Sequence, residues 1–229
     1  MIKITHLKKN IGLSKIIDDI SIEINKGDVI GLIGPSNAGK STLLRCIAKI
    51  ENYDSGKVSI ENDCSVGMVF KDINLFENMS IIDNLCFSQE KALKRSRNDA
   101  EGFAMQMLKR FDMITFFDKN PKDLKAGEKQ KISIVRTLCM NPSIILFENP
   151  TYHLKIESIP SVFNMIRSLI QDGIPVIMMT NEIRFLKSIA NRMIFMEDGV
   201  IQADMNKEDF FDNKPNPRIR EFSESLLSY

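Results

Sequence analysis

The residues best suited to chemistry form one glycine-rich segment that matches the pattern G-x-x-x-x-G-K-[ST] in full. In this pattern, backbone N–H groups surround phosphate oxygens, the lysine ammonium reaches the β- and γ-phosphates, and the hydroxyl is placed to hold Mg²⁺. The segment predicts a nucleotide phosphate site made of Gly34, Pro35, Ser36, Asn37, Ala38, Gly39, Lys40, Ser41 and Thr42.

The segments around this loop have the order that such a site requires. An apolar stretch ends at Ile33, and a helical pattern begins near Lys40 and runs to Ile50. Gly34 and Gly39 allow the backbone to curl. The positive end of the helix dipole then faces the phosphates. We therefore expect the loop to join a buried strand to a helix.

Short apolar strands alternate with helical patterns over most of the chain. Strand-like runs occur at 28–33, 144–147, 176–180 and 193–196, and helical ones at 41–50 and 157–170. Buried strands separated by helices predict a parallel sheet covered on both faces. The dipeptide Asp198-Gly199 predicts a hairpin turn between two closing strands.

Composition excludes several classes of function. The 229 residues include 31 Lys+Arg and 30 Asp+Glu, and a net charge of +1 gives no broad attraction to nucleic acid or anionic lipid. No apolar run approaches the ~20 residues of a membrane-spanning helix, and the first ten residues do not resemble a secretory signal. The four cysteines are scattered without ligand-like spacing, which is typical of reduced thiols in a cytosolic protein.

Several short motifs beyond the loop resemble one family. They are LLRCI at 43–47, GMVF at 67–70, NLF at 74–76, MNP at 140–142, IFMEDG at 194–199 and DFFDN at 209–213. In this order they are similar to the ATP-binding subunits of ABC transporters, and nearest to those of polar amino acid importers. The resemblance covers almost the whole chain.

The resemblance implies an α/β P-loop NTPase fold with a mainly parallel core sheet, a small antiparallel β-region and an inserted helical lobe. We expect a single domain over 1–229, with the nucleotide-binding core at about 1–73 and 142–205, the lobe at about 74–141 and a C-terminal helical tail at about 206–229. It also implies ATP and Mg²⁺ as cofactors, a transmembrane permease as partner, and a peripheral position on the cytoplasmic face of the cell membrane. The chain would form a homodimer, or a heterodimer with a competent ATP-binding subunit.

Outside the phosphate loop, the catalytic positions of this family hold other residues. Lys71 stands at the Q-loop glutamine, and Asn181 at the switch histidine. Glu148 replaces the Walker B aspartate, and Asn149 the catalytic glutamate beside it. Asn149 cannot accept a proton, so hydrolysis loses a general base worth roughly 100- to 10,000-fold in rate. Glu148 keeps its charge and remains, with Ser41, a candidate Mg²⁺ ligand, although its extra methylene moves the oxygens.

The family's second half-site is altered as well. In this family ATP lies between the phosphate loop of one subunit and the LSGGQ signature of the other. The last four signature positions here hold Lys125, Ala126, Gly127 and Glu128, so a symmetric homodimer would be compromised at both sites. Lys155 stands at the D-loop aspartate. Adenine recognition is expected to be weak, because the stacking aromatic is replaced by isoleucine at position 11, and the 41–70 segment is shorter than usual.

These departures leave three hypotheses open. The first is a transporter subunit that binds ATP but is impaired in hydrolysis. The second is a regulatory or scaffolding pseudo-ATPase without a transport role, and the third is a slow but active transport ATPase. Two readings also remain for Lys71 and Lys155. In the first, both side chains face solvent. In the second, the Lys71 ammonium lies near the γ-phosphate and partly replaces Mg²⁺. The second reading predicts ATP binding that a metal chelator hardly affects.

Overall fold

The computed structural model describes residues 1–213 and 217–227. Its strands are β1 (Ile2–Ile11), β2 (Ser14–Ile24), β3 (Val29–Ile33), β4 (Ser55–Ile60), β5 (Val66–Val69), β6 (Ile144–Glu148), β7 (Val176–Met179), β8 (Arg192–Glu197) and β9 (Val200–Asn206). Its α-helices are α1 (Lys40–Ile47), α2 (Ile81–Ala92), α3 (Arg97–Arg110), α4 (Ala126–Leu138), α5 (Ile159–Gln171), α6 (Ile183–Ile189) and α7 (Pro217–Leu227). Short 3-10 turns occur at Ile114–Phe116, Pro121–Asp123 and Ile156–Ser158.

The core sheet has the strand order β5-β6-β7-β3-β8-β9. Neighbours from β5 to β8 are parallel, and β9 closes the sheet antiparallel to β8. Every residue of β3 and β6 is buried, as expected for strands covered on both faces. The predicted hairpin joins β8 to β9, with φ of 48° at Asp198 and 78° at Gly199.

A second, antiparallel sheet has the order β2-β1-β4. Its buried side chains, including Ile4 and Leu7 of β1, share a hydrophobic cluster with Leu43 and Leu44 of α1. The small sheet therefore covers the helix that follows the phosphate loop. Together the two sheets confirm the predicted α/β fold class.

Helices α2, α3 and α4 lie between β5 and β6 in the chain, within the segment predicted as a helical lobe. Ser80 caps α2 by accepting a bond from the Asp83 backbone N–H, and Ser96 caps α3 in the same way through Asp99. Their apolar faces join the second hydrophobic cluster, which also contains β6 and α5. The lobe thus shares one core with the nucleotide-binding sheet.

One helix boundary differs from expectation. Helix α1 ends at Ile47 rather than Ile50, because Lys49 adopts a left-handed conformation with φ of 56° and the Ile50 N–H turns back to the Arg45 carbonyl. Strand β9 ends at Asn206, and the tail continues with helical residues 207–208, a π-helical turn at Asp209–Asn213 and α7. Tail residues 214–216 and 228–229 lie outside the described residues. Within the described ranges, no helix has both the length and the apolar composition that a membrane crossing needs.

Candidate functional site

The phosphate loop runs from the end of β3 to the start of α1, and both of its glycines are required by the backbone. Gly34 has a φ of 146°, and a Cβ atom there would lie 1.8 Å from the carbonyl oxygen of Met196. Gly39 has a φ of 90°, and its Cβ would lie 2.3 Å from the carbonyl oxygen of Ile16. The backbone is therefore curled as the motif predicts, and it directs the N-terminus of α1 toward the loop.

Lys40 is held inside its own loop. Its Nζ donates to the carbonyl oxygens of Gly34 at 2.8 Å and Pro35 at 2.6 Å, and only 8% of the residue is exposed. Burial lowers the pKa of the Lys40 ammonium to about 8. A polyphosphate would compete with these two carbonyls by offering charge-assisted bonds, which are the stronger kind.

A buried ion pair lies beside the loop, where β6 ends. The Glu148 side chain is 1% exposed, and Nη2 of Arg45 donates to its Oε1 at 3.0 Å and its Oε2 at 3.2 Å. Arg45 follows Ser41 by four residues on α1, so both side chains lie on one face of the helix. The guanidinium neutralises a carboxylate whose charge would otherwise be costly to bury.

The predicted Mg²⁺ ligands are engaged in other contacts. Ser41 Oγ donates to the Sδ of Met179 at 3.5 Å, and both oxygens of Glu148 accept from Arg45. Mg²⁺ favours negatively charged oxygens in a near-octahedral arrangement. The Arg45 guanidinium neutralises the charge of the Glu148 carboxylate and repels a divalent cation. As they are arranged here, Ser41 and Glu148 do not suit this metal.

A cavity of about 300 Å³ adjoins this ion pair, and Lys71 lines it together with Arg45 and Glu148. Lys71 follows β5, the neighbour of β6 in the sheet, so parallel pairing brings Lys71 and Glu148 to the same sheet edge. The Lys71 Nζ lies 5.6 Å from the centroid of the Tyr152 ring, within cation–π range. Lys71 is half-buried here, and the choice between its two readings stays a prediction.

The two asparagines at catalytic positions lie at the ends of neighbouring strands. Asn149 has a φ of 44°, and its backbone N–H donates to the carbonyl of Met179 at 2.7 Å. Asparagine tolerates this left-handed conformation better than glutamate does. Asn181 is exposed in the connection between β7 and α6. Neither side chain can take a proton from water.

The signature-equivalent segment forms the start of α4. Lys125 is the N-cap residue, and its backbone N–H donates to Oε2 of Glu128 at 2.8 Å, which is half of a capping box. Gly127 is buried, and a Cβ there would lie 2.7 Å from that of Ser158. Ala126 is exposed with Lys125. The Glu128 carboxylate thus caps α4, a role that the sequence analysis did not assign to it.

Lys155 is exposed in the segment that precedes α5, unlike Lys71. Its carbonyl accepts a bond from the Ser158 N–H, which starts the turn that packs on α4. The exposure of Lys155 agrees with the reading in which its side chain faces solvent.

Two residues that the sequence analysis did not select belong to this site. Arg45 is the partner of Glu148, and the available signal was its spacing of four from Ser41 on the same helix. Tyr152 contacts Lys71 and also stacks edge-on against His153, whose Nε2 lies 2.9 Å from Oδ1 of Asp72. No local sequence pattern indicates that Lys71, Tyr152, His153 and Asp72 lie together.

Comparisons with known proteins identify the family. The profile of the family described as ABC transporter matches residues 17–152, more than half of the chain. The chain belongs to the ABC transporter family. It is 35% identical over 242 residues to the glutamate transport ATP-binding protein GluA of Corynebacterium glutamicum, covering 100% of both chains. It is also 35% identical over 240 residues to the glutamate/aspartate import ATP-binding protein GltL of Escherichia coli K12, covering 99% of this chain and 100% of GltL.

Solved structures of ABC cassettes have the same fold. The dimeric structure of MJ0796, a bacterial ABC transporter cassette, superposes with a TM-score of 0.79 at 25% identity, covering 90% of this chain and 99% of that one. A nucleotide-free ATP-binding cassette from an ABC transporter gives a TM-score of 0.84 at 22% identity, covering 97% of this chain and 98% of that one. This ABC protein is therefore similar to amino acid transport ATP-binding subunits over its full length, and the predicted resemblance is confirmed.

Proposed function

We propose that this chain is an ATP-binding subunit of an ABC importer for amino acids, which binds nucleotide through residues 34–42 and hydrolyses it very slowly or not at all. One observation carries the proposal: the carboxylate at the end of β6 is committed to Arg45, next to an asparagine in place of a base. The phosphate loop beside it keeps the geometry that binding needs.

Nucleotide binding is supported by the loop itself. Gly34 and Gly39 adopt the positive φ that the curled backbone requires, and the buried Lys40 is positioned within the loop. Weak adenine recognition remains part of the proposal, because Ile11 is 59% exposed and offers no aromatic face.

Impaired hydrolysis follows from the groups around the loop. Asn149 offers an amide where general-base assistance would be worth roughly 100- to 10,000-fold. Glu148 cannot compensate while Arg45 holds both of its oxygens. Catalytic groups that act as a unit lose most of their effect together, so the separate losses do not multiply.

The proposed partners are a transmembrane permease and a second ATP-binding subunit, with the chain peripheral on the cytoplasmic face of the membrane. Names of the relatives, which describe glutamate, aspartate and arginine transport, support an amino acid importer. A heterodimer with a competent homologue fits the exposed Lys125 and Ala126 better than a homodimer does. A long cation and an added methyl group would hinder close approach to phosphate at both sites of a homodimer.

The test is a nucleotide titration combined with a phosphate-release assay on the purified chain. We expect saturable ATP binding that Lys40→Ala abolishes, with no phosphate release above that of Lys40→Ala. Steady phosphate release that depends on Lys40 would instead identify a slow transport ATPase. Co-purification with an amino acid permease supports the transport role, whereas ATP binding by a chain that never associates with a permease would identify a regulatory pseudo-ATPase.

A further inference from the structure

The cavity beside the phosphate loop has an uneven distribution of charge. Its two glutamates are paired, Glu148 with Arg45 at 3.0 Å and Glu51 with Lys9 at 3.3 Å. Asp72, at the exposed rim, bonds to His153. Within the described chain, no carboxylate lies within ion-pair distance of the Lys71 Nζ. The cavity therefore presents one uncompensated ammonium and no uncommitted buried carboxylate.

None of residues 34–42 lines this cavity, but neighbouring strands connect its wall to the phosphate site. Ser41 Oγ contacts Met179 of β7, and Met179 is the register partner of Glu148 on β6. Lys71 lines the cavity from the end of β5, and its Nζ lies 5.6 Å from the centroid of the Tyr152 ring. A polyphosphate extending from the loop would thus approach Lys71 at the sheet edge where the carboxylate is already neutralised.

We propose that this site binds the polyphosphate of a nucleotide without a divalent cation, with the Lys71 ammonium contacting the terminal phosphate. The inference rests on the proposed nucleotide binding and specifies its ionic requirement. Lysine supplies up to three charge-assisted donors to phosphate oxygens. A divalent cation would find no free carboxylate here and would be repelled by Arg45 and Lys71. Ser41 and Glu148 do not suit Mg²⁺ because, in this proposal, the Lys71 ammonium supplies the positive charge that the metal would otherwise provide.

The test measures the affinity of the full chain for a fluorescent ATP analogue in millimolar Mg²⁺ and in EDTA. We expect the dissociation constant to change by less than about threefold between the two conditions. Lys71→Gln should weaken binding in EDTA by about tenfold or more, because a charge-assisted bond to phosphate is lost. Lys109→Gln, an equal change of charge at an exposed position in the last turn of α3, should stay within about twofold of the parent.

The outcomes separate this inference from the proposed function. Binding that appears in Mg²⁺ and is lost in EDTA overturns the inference, while the proposed function stands if no phosphate is released. Equal binding in both conditions with an unaffected Lys71→Gln variant also overturns it, because the cation would then not be Lys71. Absence of binding in both conditions removes the inference and the proposed function together. Thermal unfolding of each variant establishes that any lost affinity belongs to a folded protein.

Discussion

The buried pair of Arg45 and Glu148 leads to a quantitative prediction about stability. Arg45→Met leaves a carboxylate that is 1% exposed without its partner. Breaking a buried pair in this way costs about 3–5 kcal/mol. We expect the lower end, about 3 kcal/mol, because 36% of the Arg45 side chain is exposed and water can replace part of the guanidinium. In a chain of this length that loss lowers Tm by roughly 6–12 °C.

A double-mutant cycle isolates the pair itself. Arg45→Met combined with Glu148→Met removes both charges, and replacement of a buried pair by apolar groups is often nearly neutral. The double variant is therefore expected to be more stable than Arg45→Met alone, with a coupling energy of about 2 kcal/mol. Urea unfolding followed by circular dichroism measures all four proteins.

A second ion pair provides the matched control. Arg110 pairs with Asp172, and its side chain is also 36% exposed, but its partner is 43% exposed. Arg110→Met should therefore cost no more than about 1 kcal/mol, as for other surface pairs. Equal losses for Arg45→Met and Arg110→Met, or additive effects within the cycle, would refute the claim that Glu148 depends on Arg45.

Three further predictions concern the site directly. Burial lowers the pKa of Lys40 to about 8, so its ammonium loses a proton above that pH. ATP affinity measured by fluorescence should therefore fall by up to about tenfold per pH unit above pH 8. An affinity that does not change with pH would contradict this prediction. Gly34→Ala places Cβ 1.8 Å from a backbone carbonyl and should abolish ATP binding, whereas Gly102→Ala on α3 meets nothing within 4 Å and should retain it. Asn149→Glu should cost about 1 kcal/mol in urea unfolding, because φ is 44° there. It should raise phosphate release less than about tenfold while Glu148 stays paired, and a larger gain would show that only the base is missing.

The phosphate loop and several buried strands could be predicted from the sequence because their signals are local. The motif occupies consecutive residues, and β3 and β6 are continuous apolar runs flanked by helical patterns. By contrast, β1 was not predicted. It contains Lys3 and His6 between buried residues, and register irregularities interrupt its pairing with β2, so its alternation is imperfect. Its position in the small sheet depends on pairing with both β2, which follows it directly, and β4, which lies at the far end of the 1–60 segment.

The pairing of Arg45 with Glu148 could not be predicted for a related reason. The two residues are 103 positions apart, and only the packing of α1 against β6 brings them together. Sequence identified Glu148 as a departure from the family and treated it as a displaced metal ligand. The structure adds the Arg45 guanidinium that pairs with Glu148. It also distinguishes Lys71, which lines the cavity, from Lys155, which is exposed.

The central claim is that this chain holds ATP without converting it, and the fate of bound nucleotide tests that claim most directly. The protein is incubated with an equimolar amount of ATP in the presence of Mg²⁺, separated from free nucleotide, and denatured so that the released nucleotide can be identified chromatographically. We expect the nucleotide recovered from the parent protein to be intact ATP, and none to be recovered from Lys40→Ala. Recovery of ADP from the parent protein, with none from Lys40→Ala, would contradict the account.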